Sequence, residues 1–156
     1  MHAESYESVE HLNDLLDKSD DPVTTLANAS AFLYALLSDV NWVGFYLLRG
    51  DELYLGPFQG KPACTRIQVG KGVCGTAVAE AKNQRVDDVH SFPGHIACDS
   101  ASNSELVVLL CKEDGAIVGL LDIDSPLPAR FTQRDAAEME RAAEIVSQSI
   151  DWPRMR

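Results

Sequence analysis

Apolar side chains recur at helical spacing in the N-terminal part of the chain. A short first helix is predicted over four such positions, Val9, Leu12, Leu15 and Leu16. Asp21 followed by Pro22 is typical of a helix N-terminus, because the carboxylate caps the first turn and proline is tolerated at its first position. The apolar spacing that follows predicts a second helix that ends near Asp39.

The middle of the chain changes to a period of two, which is typical of strands. Residues 41–60 are predicted to form two strands that turn at Gly50-Asp51, and residues 106–125 a second hairpin that turns at Asp114-Gly115. Between the hairpins, residues 66–69 are predicted as a short strand that leads into a helix start rich in glycine. Two hairpins indicate an antiparallel sheet.

The last part of the chain returns to helical spacing. Thr132 is a predicted N-cap, and an apolar stripe runs from Met139 to Ile150. We therefore predict an α+β fold, with an antiparallel sheet and with N- and C-terminal helices packed mainly on one face. Residues 1–156 are expected to form a single domain, with N-terminal helices in 1–39, sheet and loops in 40–125 and a C-terminal helix in 131–150.

Charge narrows the choice of partners. The 13 Lys and Arg residues against 24 Asp and Glu residues give a net charge of −11, which argues against nucleic acid and anionic membranes as partners. No apolar run approaches the roughly 18 residues that a membrane span needs. The acidic, polar first residues are unlike a secretory signal, so we expect a cytoplasmic location.

A glycine motif lies at the predicted start of the central helix. Residues 70–75 fit the pattern G-x-G-x-x-G, which binds dinucleotides when it follows a strand of a parallel sheet. The hairpins on both sides do not provide such a sheet. We therefore interpret the glycines as shaping a tight turn from strand to helix.

Four cysteines are the first candidates for chemistry: Cys64, Cys74, Cys98 and Cys111. Cys98 lies in a long polar segment, residues 90–105, whereas Cys111 ends the apolar run LVVLLC and is expected to be a small buried side chain. A zinc set of His95, Cys98, Cys64 and Cys74 is the competing hypothesis. Structural zinc usually takes ligands in close pairs, which these spacings lack, so we expect no metal and favour thiol redox chemistry.

A candidate binding site follows from the period of two along the strands. Trp42 and Tyr46 share one predicted strand face, Asp122 and Asp124 share another, and Glu105 begins the strand that pairs with the second. Aromatic rings beside grouped carboxylates would form a box for a small cationic or zwitterionic ligand. A solvated strand end is the alternative interpretation of the same carboxylates.

Five sequence blocks together resemble a known family. They are NWVGFY (41–46), LGPFQGKPAC (55–64), VGKGVCGTA (69–77), GHIACDSASNSE (94–105) and GLLDIDS (119–125). In this order they resemble the free methionine-(R)-sulfoxide reductases, which are built on a GAF domain and are cytosolic and cofactor-free. The sequence departs from the family pattern at Leu109, where proline is expected, and in a hairpin one residue longer around Asp114-Gly115.

The resemblance also implies residue roles. Cys98 would be the nucleophile, Cys64 the principal resolving thiol and Cys74 a second or auxiliary one. The substrate-binding residues would be Trp42, Tyr46, Glu105, Asp122 and Asp124. Because Cys74 falls in the first turn of a predicted helix, we expect its pKa to be lowered.

The implied activity is reduction of free L-methionine-(R)-S-oxide to L-methionine. It would proceed through a cysteine sulfenic acid and an intramolecular disulfide, recycled by a dithiol such as thioredoxin. The resemblance also allows a homodimer. A stand-alone GAF-type sensor of redox state or of a small ligand is the alternative function.

Overall fold

A computed structural model describes residues 8–95 and 101–155. Its helices are α1 (Leu12–Leu15), α2 (Pro22–Leu36), α3 (Gly72–Glu80) and α4 (Gln133–Gln148). Single 3-10 turns lie at Val9–His11, Val89–Ser91 and Trp152–Arg154. None of the helices in this described part of the chain has both the length and the apolar character that crossing a membrane requires.

One antiparallel sheet forms the centre of the fold. Its strands are β1 (Trp42–Arg49), β2 (Glu52–Gly60), β3 (Arg66–Gln68), β4 (Gln84–Val86), β5 (Ser104–Cys111) and β6 (Ile117–Ser125). The spatial order is β3-β2-β1-β6-β5-β4, and every described strand pair is antiparallel. The two predicted hairpins are β1-β2 and β5-β6, and they meet where β1 pairs with β6. The two innermost strands thus come from different hairpins.

The larger apolar core lies between the sheet and the terminal helices. Alternate residues of β1 point into it, among them Val43 and Phe45, together with Leu121 and Ile123 of β6. Helices α1, α2 and α4 cover this face, and Met139 of α4 packs in the same core. The predicted α+β fold, with terminal helices on one face of an antiparallel sheet, is confirmed.

Helix α3 covers part of the opposite face, which we call the pocket face. Val73 and Ala77 of α3 pack with Leu120 and Val107 in a second, smaller apolar cluster. This helix contacts β3, β4, β5 and β6, so it lies across the pocket face of the sheet. The pocket face is therefore only partly covered by apolar packing.

The helix caps follow the sequence closely. Asp21 accepts a hydrogen bond from the Val23 backbone, and Thr132 forms a reciprocal capping box with Asp135. Helix α2 ends three residues earlier than predicted, because the backbone becomes extended at Leu37. Strand β4 was not predicted from the sequence, since three residues carry too little periodicity to be recognised.

The glycine motif forms a turn, as its interpretation predicts. Gly70 and Gly72 adopt φ of 95° and 63°, which a residue with a side chain rarely adopts. The Gly70 backbone N–H donates to the Gly75 carbonyl at 2.8 Å, and a Cβ atom at Gly75 would lie 2.5 Å from the Gln68 carbonyl oxygen. The glycines therefore let α3 begin directly against the end of β3.

Candidate active site

Three carboxyl groups come together on the pocket face where β1, β6 and β5 lie side by side. Asp124 pairs with Trp42 on one side and with Glu105 on the other, and Asp122 pairs with Gly44 and Val107. Residues two apart on a strand share a face. The register thus brings Glu105, Asp122 and Asp124 to one edge of a pocket, which all three line.

Burial changes the protonation of these groups. Glu105 and Asp122 are each only 6% exposed. Burial, and then the charge of Asp124, raise the pKa of Glu105 to about 8. Burial, and then the charge of Glu105, raise the pKa of Asp122 well above its usual value. The cluster therefore favours holding protons at neutral pH, and a solvated strand end does not describe it.

Asp122 has one oxygen atom without a partner. Its Oδ1 is fully buried and accepts no hydrogen bond in the described part of the chain. A buried acceptor left unsatisfied costs about 1–3 kcal/mol. Such an atom, on a residue that lines a pocket, is a strong indication of a binding site for a donor or a cation.

Cys74 lies against the carboxyl cluster. It is 4% exposed, and its thiol donates a hydrogen bond to Glu105 Oε2 at 3.7 Å. Burial, together with the charges of Asp122 and Glu105, raises the pKa of Cys74 well above its usual value. The lowered pKa expected from the helix N-terminus is therefore wrong, because desolvation and nearby carboxylates outweigh the helix dipole at this position.

Aromatic side chains form the wall beside the carboxyl groups. The rings of Trp42 and Tyr46 are stacked with their centroids 6.0 Å apart. Trp42 Nε1–H donates to the Lys61 carbonyl at 3.0 Å, and the Tyr46 hydroxyl donates to the Cys64 carbonyl at 2.8 Å. These bonds satisfy the polar ends of both rings and tie β1 to the segment that follows β2.

Phe58 and two glycines position Trp42, which sequence reasoning missed. The Phe58 ring stacks on Trp42 at 5.1 Å between centroids. A Cβ atom at Gly44 would lie 2.7 Å from Trp42 Cη2, and one at Gly60 would lie 2.5 Å from Trp42 Cδ1. The indole therefore occupies space that these glycines leave open. The available signal was a glycine two residues after the tryptophan within a strand.

Further described residues line the pocket. They are Pro62, Ala63, Ile67, Lys71, Gly72, Val73, His95 and Ser102. His95 is half-buried, and burial, followed by the nearby His90, lowers its pKa. Ser102 is buried and accepts a hydrogen bond from Asn41 Nδ2 at 3.2 Å.

The remaining cysteines lie in different settings. Cys64 is half-buried and disulfide-bonded. Cys98 lies outside the described residues. Cys111 is a free thiol that is exposed, so its expected burial is wrong. The register shifts between Leu110 and Cys111, which takes Cys111 out of the regular alternation at the end of β5.

Among the described residues, the group that could hold a metal ion differs from the zinc set considered from the sequence. Cys64 is held in a disulfide and is unavailable as a thiolate. Instead Cys74, Glu105 and Asp122 place one potential ligand atom each within 4.8 Å of the other two. Among the described residues, Cys74 belongs both to this group and to the predicted zinc set.

Comparison with known proteins adds to this geometry. The GAF domain family profile matches residues 21–150. The free methionine-R-sulfoxide reductase of Escherichia coli K12 is 58% identical over 123 residues, which cover 79% of this chain and 74% of that protein. The chain belongs to the GAF-domain family of free methionine-R-sulfoxide reductases.

Solved free methionine-R-sulfoxide reductases share the whole fold. The Neisseria meningitidis enzyme in complex with its substrate has a TM-score of 0.87 and 42% identity, over 94% of this chain and 89% of that chain. The fRMsr of Staphylococcus aureus, also in complex with substrate, has a TM-score of 0.84 and 48% identity, over 90% of this chain and 92% of that chain. The resemblance inferred from the five sequence blocks is confirmed.

Proposed function

We propose that this protein reduces free L-methionine (R)-sulfoxide to L-methionine. The observation that carries the proposal is the pocket, in which three carboxyl groups lie beside the stacked rings of Trp42 and Tyr46. Two related reductases of known structure bind their substrate in the same fold. A free amino acid carries the groups that such a pocket can recognise.

The carboxyl cluster supports recognition of a free α-ammonium group. We propose that Asp122 and Asp124 bind this ammonium, since the unpartnered Asp122 Oδ1 is an acceptor without a donor. Trp42 would pack against the S-methyl group. A methionine sulfoxide within a polypeptide has an amide in place of the ammonium and chain on both sides, so the pocket should reject it.

The chemical step requires a nucleophile and a proton donor. We assign the nucleophile to Cys98, whose thiolate attacks the sulfoxide sulfur while the sulfur–oxygen bond breaks. The released oxygen, as water, then attacks the Cys98 sulfur and breaks its new bond to the methionine sulfur. Methionine leaves and Cys98 becomes a sulfenic acid, so the thiol is oxidised by two electrons and the sulfoxide is reduced by two. Glu105, with its pKa raised to about 8, suits donation of a proton to that oxygen.

Resolution would then close a disulfide. Attack of Cys64 on the sulfenic acid releases water and joins the two sulfur atoms, and a dithiol such as thioredoxin restores both thiols in the cytoplasm. The disulfide at Cys64 supports a resolving role for this residue. Cys74 is less suited, because a buried thiol with a raised pKa supplies little thiolate, and it would act only as an auxiliary resolver.

The test is turnover of free methionine (R)-sulfoxide with thioredoxin as reductant. The wild type and the matched control Cys111→Ser should release methionine, whereas Cys98→Ser should release none and keep its folded circular dichroism spectrum. The (S)-sulfoxide and a methionine sulfoxide within a peptide should remain unreduced. Substrate binding without turnover would favour a sensor and overturn the proposal, as would full activity of Cys98→Ser.

The resolving residue has its own test. After one turnover without reductant, mass spectrometry of unreduced peptides should show Cys98 joined mainly to Cys64. In Cys64→Ser the sulfenic acid should persist and react with dimedone. A trapped Cys64–Cys74 disulfide, or Cys98 recovered as a free thiol, would show that the roles are assigned wrongly.

A further inference from the structure

The cluster of Cys74, Glu105 and Asp122 has more than one potential use. The three residues come from α3, β5 and β6, and the two strands are paired directly next to these positions. Each residue offers one sulfur or oxygen atom within 4.8 Å of the others, and all three are buried. Ligand atoms held on three packed elements are already close to one another before anything binds.

The spacing fits a tetrahedral metal ion. Zinc binds thiolate sulfur at about 2.3 Å and carboxylate oxygen at about 2.0–2.2 Å, which places sulfur and oxygen about 3.5 Å apart at a tetrahedral angle. Cys74 Sγ and Glu105 Oε2 are 3.7 Å apart. Only a small adjustment would therefore bring both atoms onto one ion.

The unpartnered oxygen of Asp122 is a second, independent observation. The residue is 6% exposed, and its Oδ1 is buried with no hydrogen-bond partner in the described chain. It lines the same pocket as Cys74 and Glu105. A carboxylate oxygen in this state is suited to accept a cation.

We propose that Cys74, Glu105 and Asp122 form a binding site for a thiophilic divalent cation such as Zn²⁺. One sulfur and two oxygen ligands suit zinc, whereas Mg²⁺ and Ca²⁺ take oxygen ligands in larger numbers. Binding releases the Cys74 thiol proton and any proton held by the two carboxyl groups, because the thiolate and the carboxylates are the ligands. Because all three residues line the pocket, a fourth ligand, such as a water molecule, would come from the pocket.

A metal ion at this site would occupy the pocket that we assign to methionine sulfoxide. The consequences that follow for the substrate rest on the proposed function. The ion would hold Asp122, which otherwise binds the ammonium group, and Glu105, which otherwise donates the proton. Zinc and free methionine sulfoxide should therefore exclude each other. Cellular zinc would then inhibit the reductase directly at its substrate pocket.

Cobalt provides the first test, since thiolate coordination of Co²⁺ gives a charge-transfer band in the near ultraviolet. The experiment uses protein without reductant, so that the disulfide at Cys64 is intact and this thiol cannot bind. The Cys111→Ser variant, which lacks the exposed free thiol, should keep the band at one Co²⁺ per chain. Cys74→Ser should lose it. No band in the wild type, or a band that follows Cys111, would overturn the proposal.

Calorimetric titration with Zn²⁺ tests the carboxylates. Asp122→Asn keeps the shape of the side chain and should weaken binding by about 10-fold or more. The matched control is Glu113→Gln, which neutralises an exposed carboxylate elsewhere and should leave the affinity unchanged. Equal weakening in both variants would indicate a general effect of net charge and would contradict the site.

Competition separates this proposal from the proposed function. Free L-methionine (R)-sulfoxide should displace Co²⁺ and abolish the band, and N-acetylmethionine sulfoxide, which lacks the ammonium, should not. If Co²⁺ binds through Cys74 but the free sulfoxide never displaces it, the metal site is supported and the placement of the substrate is wrong. If the sulfoxide is reduced but Co²⁺ does not bind, the metal site alone is wrong.

Discussion

The two faces of β6 carry different kinds of side chain at residues 121–124. Leu121 and Ile123 point toward the terminal helices and are 0% exposed. Asp122 and Asp124 alternate with them and point to the pocket face. Between residues 121 and 124, the strand thus places its aliphatic side chains in the main core and its carboxyl groups on the partly covered pocket face.

Burial has opposite effects on the stability of the fold for these two kinds of side chain. Burying a large aliphatic side chain stabilises the fold by about 1.5–3 kcal/mol, because apolar surface leaves water. Burying a carboxyl group disfavours its charged form, and a second carboxyl group nearby adds repulsion. The sheet face that packs against the terminal helices therefore stabilises the fold. The carboxyl groups on the pocket face reduce the stability of the fold, but they can bind a ligand and donate protons.

Removing an aliphatic side chain should have the largest effect on stability. Leu121→Ala leaves a cavity in the main core and should lower the free energy of unfolding by about 2–5 kcal/mol. Denaturation with urea measures this loss. Leu127→Ala is the control, since Leu127 is 44% exposed and should change stability by less than about 0.5 kcal/mol. Equal effects would contradict the assignment of this face as the core.

A substitution on the pocket face should reduce activity and leave stability unharmed. Asp122→Asn should lower kcat/KM for free methionine (R)-sulfoxide by about 100-fold, because Asp122 can ionise beside a bound ammonium group, whereas a neutral amide cannot. Its thermal stability should be equal to or higher than that of the wild type, since the buried like charges are reduced. A large loss of stability with activity intact would show that Asp122 is structural.

The sequence predicts that the aliphatic and the carboxyl side chains of β6 lie on opposite faces, because successive residues of a strand point to opposite faces whatever packs against them. The pairs Leu121–Ile123 and Asp122–Asp124 could therefore be separated without a structure. Which parts of the chain pack over each face could not be predicted. The raised pKa of Cys74 depends on α3 lying over β5 and β6, and the exposure of Cys111 depends on an irregular register at one strand end. Both are long-range consequences of packing.

The pH dependence of stability should follow from Glu105. Its pKa is about 8 in the folded protein, against 4.5 as the ordinary value. Between these values the folded state binds the extra proton, so the stabilisation is complete below about pH 4.5 and is lost as pH rises through about 8. From pH 6 to 7, this group should lower the free energy of unfolding by at most about 1.4 kcal/mol.

Denaturant titrations of metal-free protein, with a chelator present, measure that slope. Glu105→Gln should be less sensitive to pH than the wild type over this interval, because the amide does not titrate. Glu113→Gln should retain the wild-type slope, since Glu113 is exposed. The same slope in all three proteins would mean that Glu105 is ionised in the folded state.

The two free cysteines of the described chain differ in burial, and substitution of the exposed one should have the smallest effect on stability and activity. Cys111 is exposed at the far end of β5, six residues from Glu105 and therefore about 20 Å away along the strand. Cys111→Ser should change stability by less than about 0.5 kcal/mol and leave kcat/KM within about twofold.

Cys74→Ser is the matched change on the pocket face. A buried hydroxyl must replace the thiol beside Glu105, so this variant should raise KM while Cys111→Ser leaves it unchanged. Thiol labelling should show the same order, with Cys111 reacting fast and Cys74 slowly, because burial limits access and the raised pKa limits thiolate. Fast labelling of Cys74 in the folded protein would contradict its burial between α3 and the sheet and would remove the basis for contrasting the two thiols.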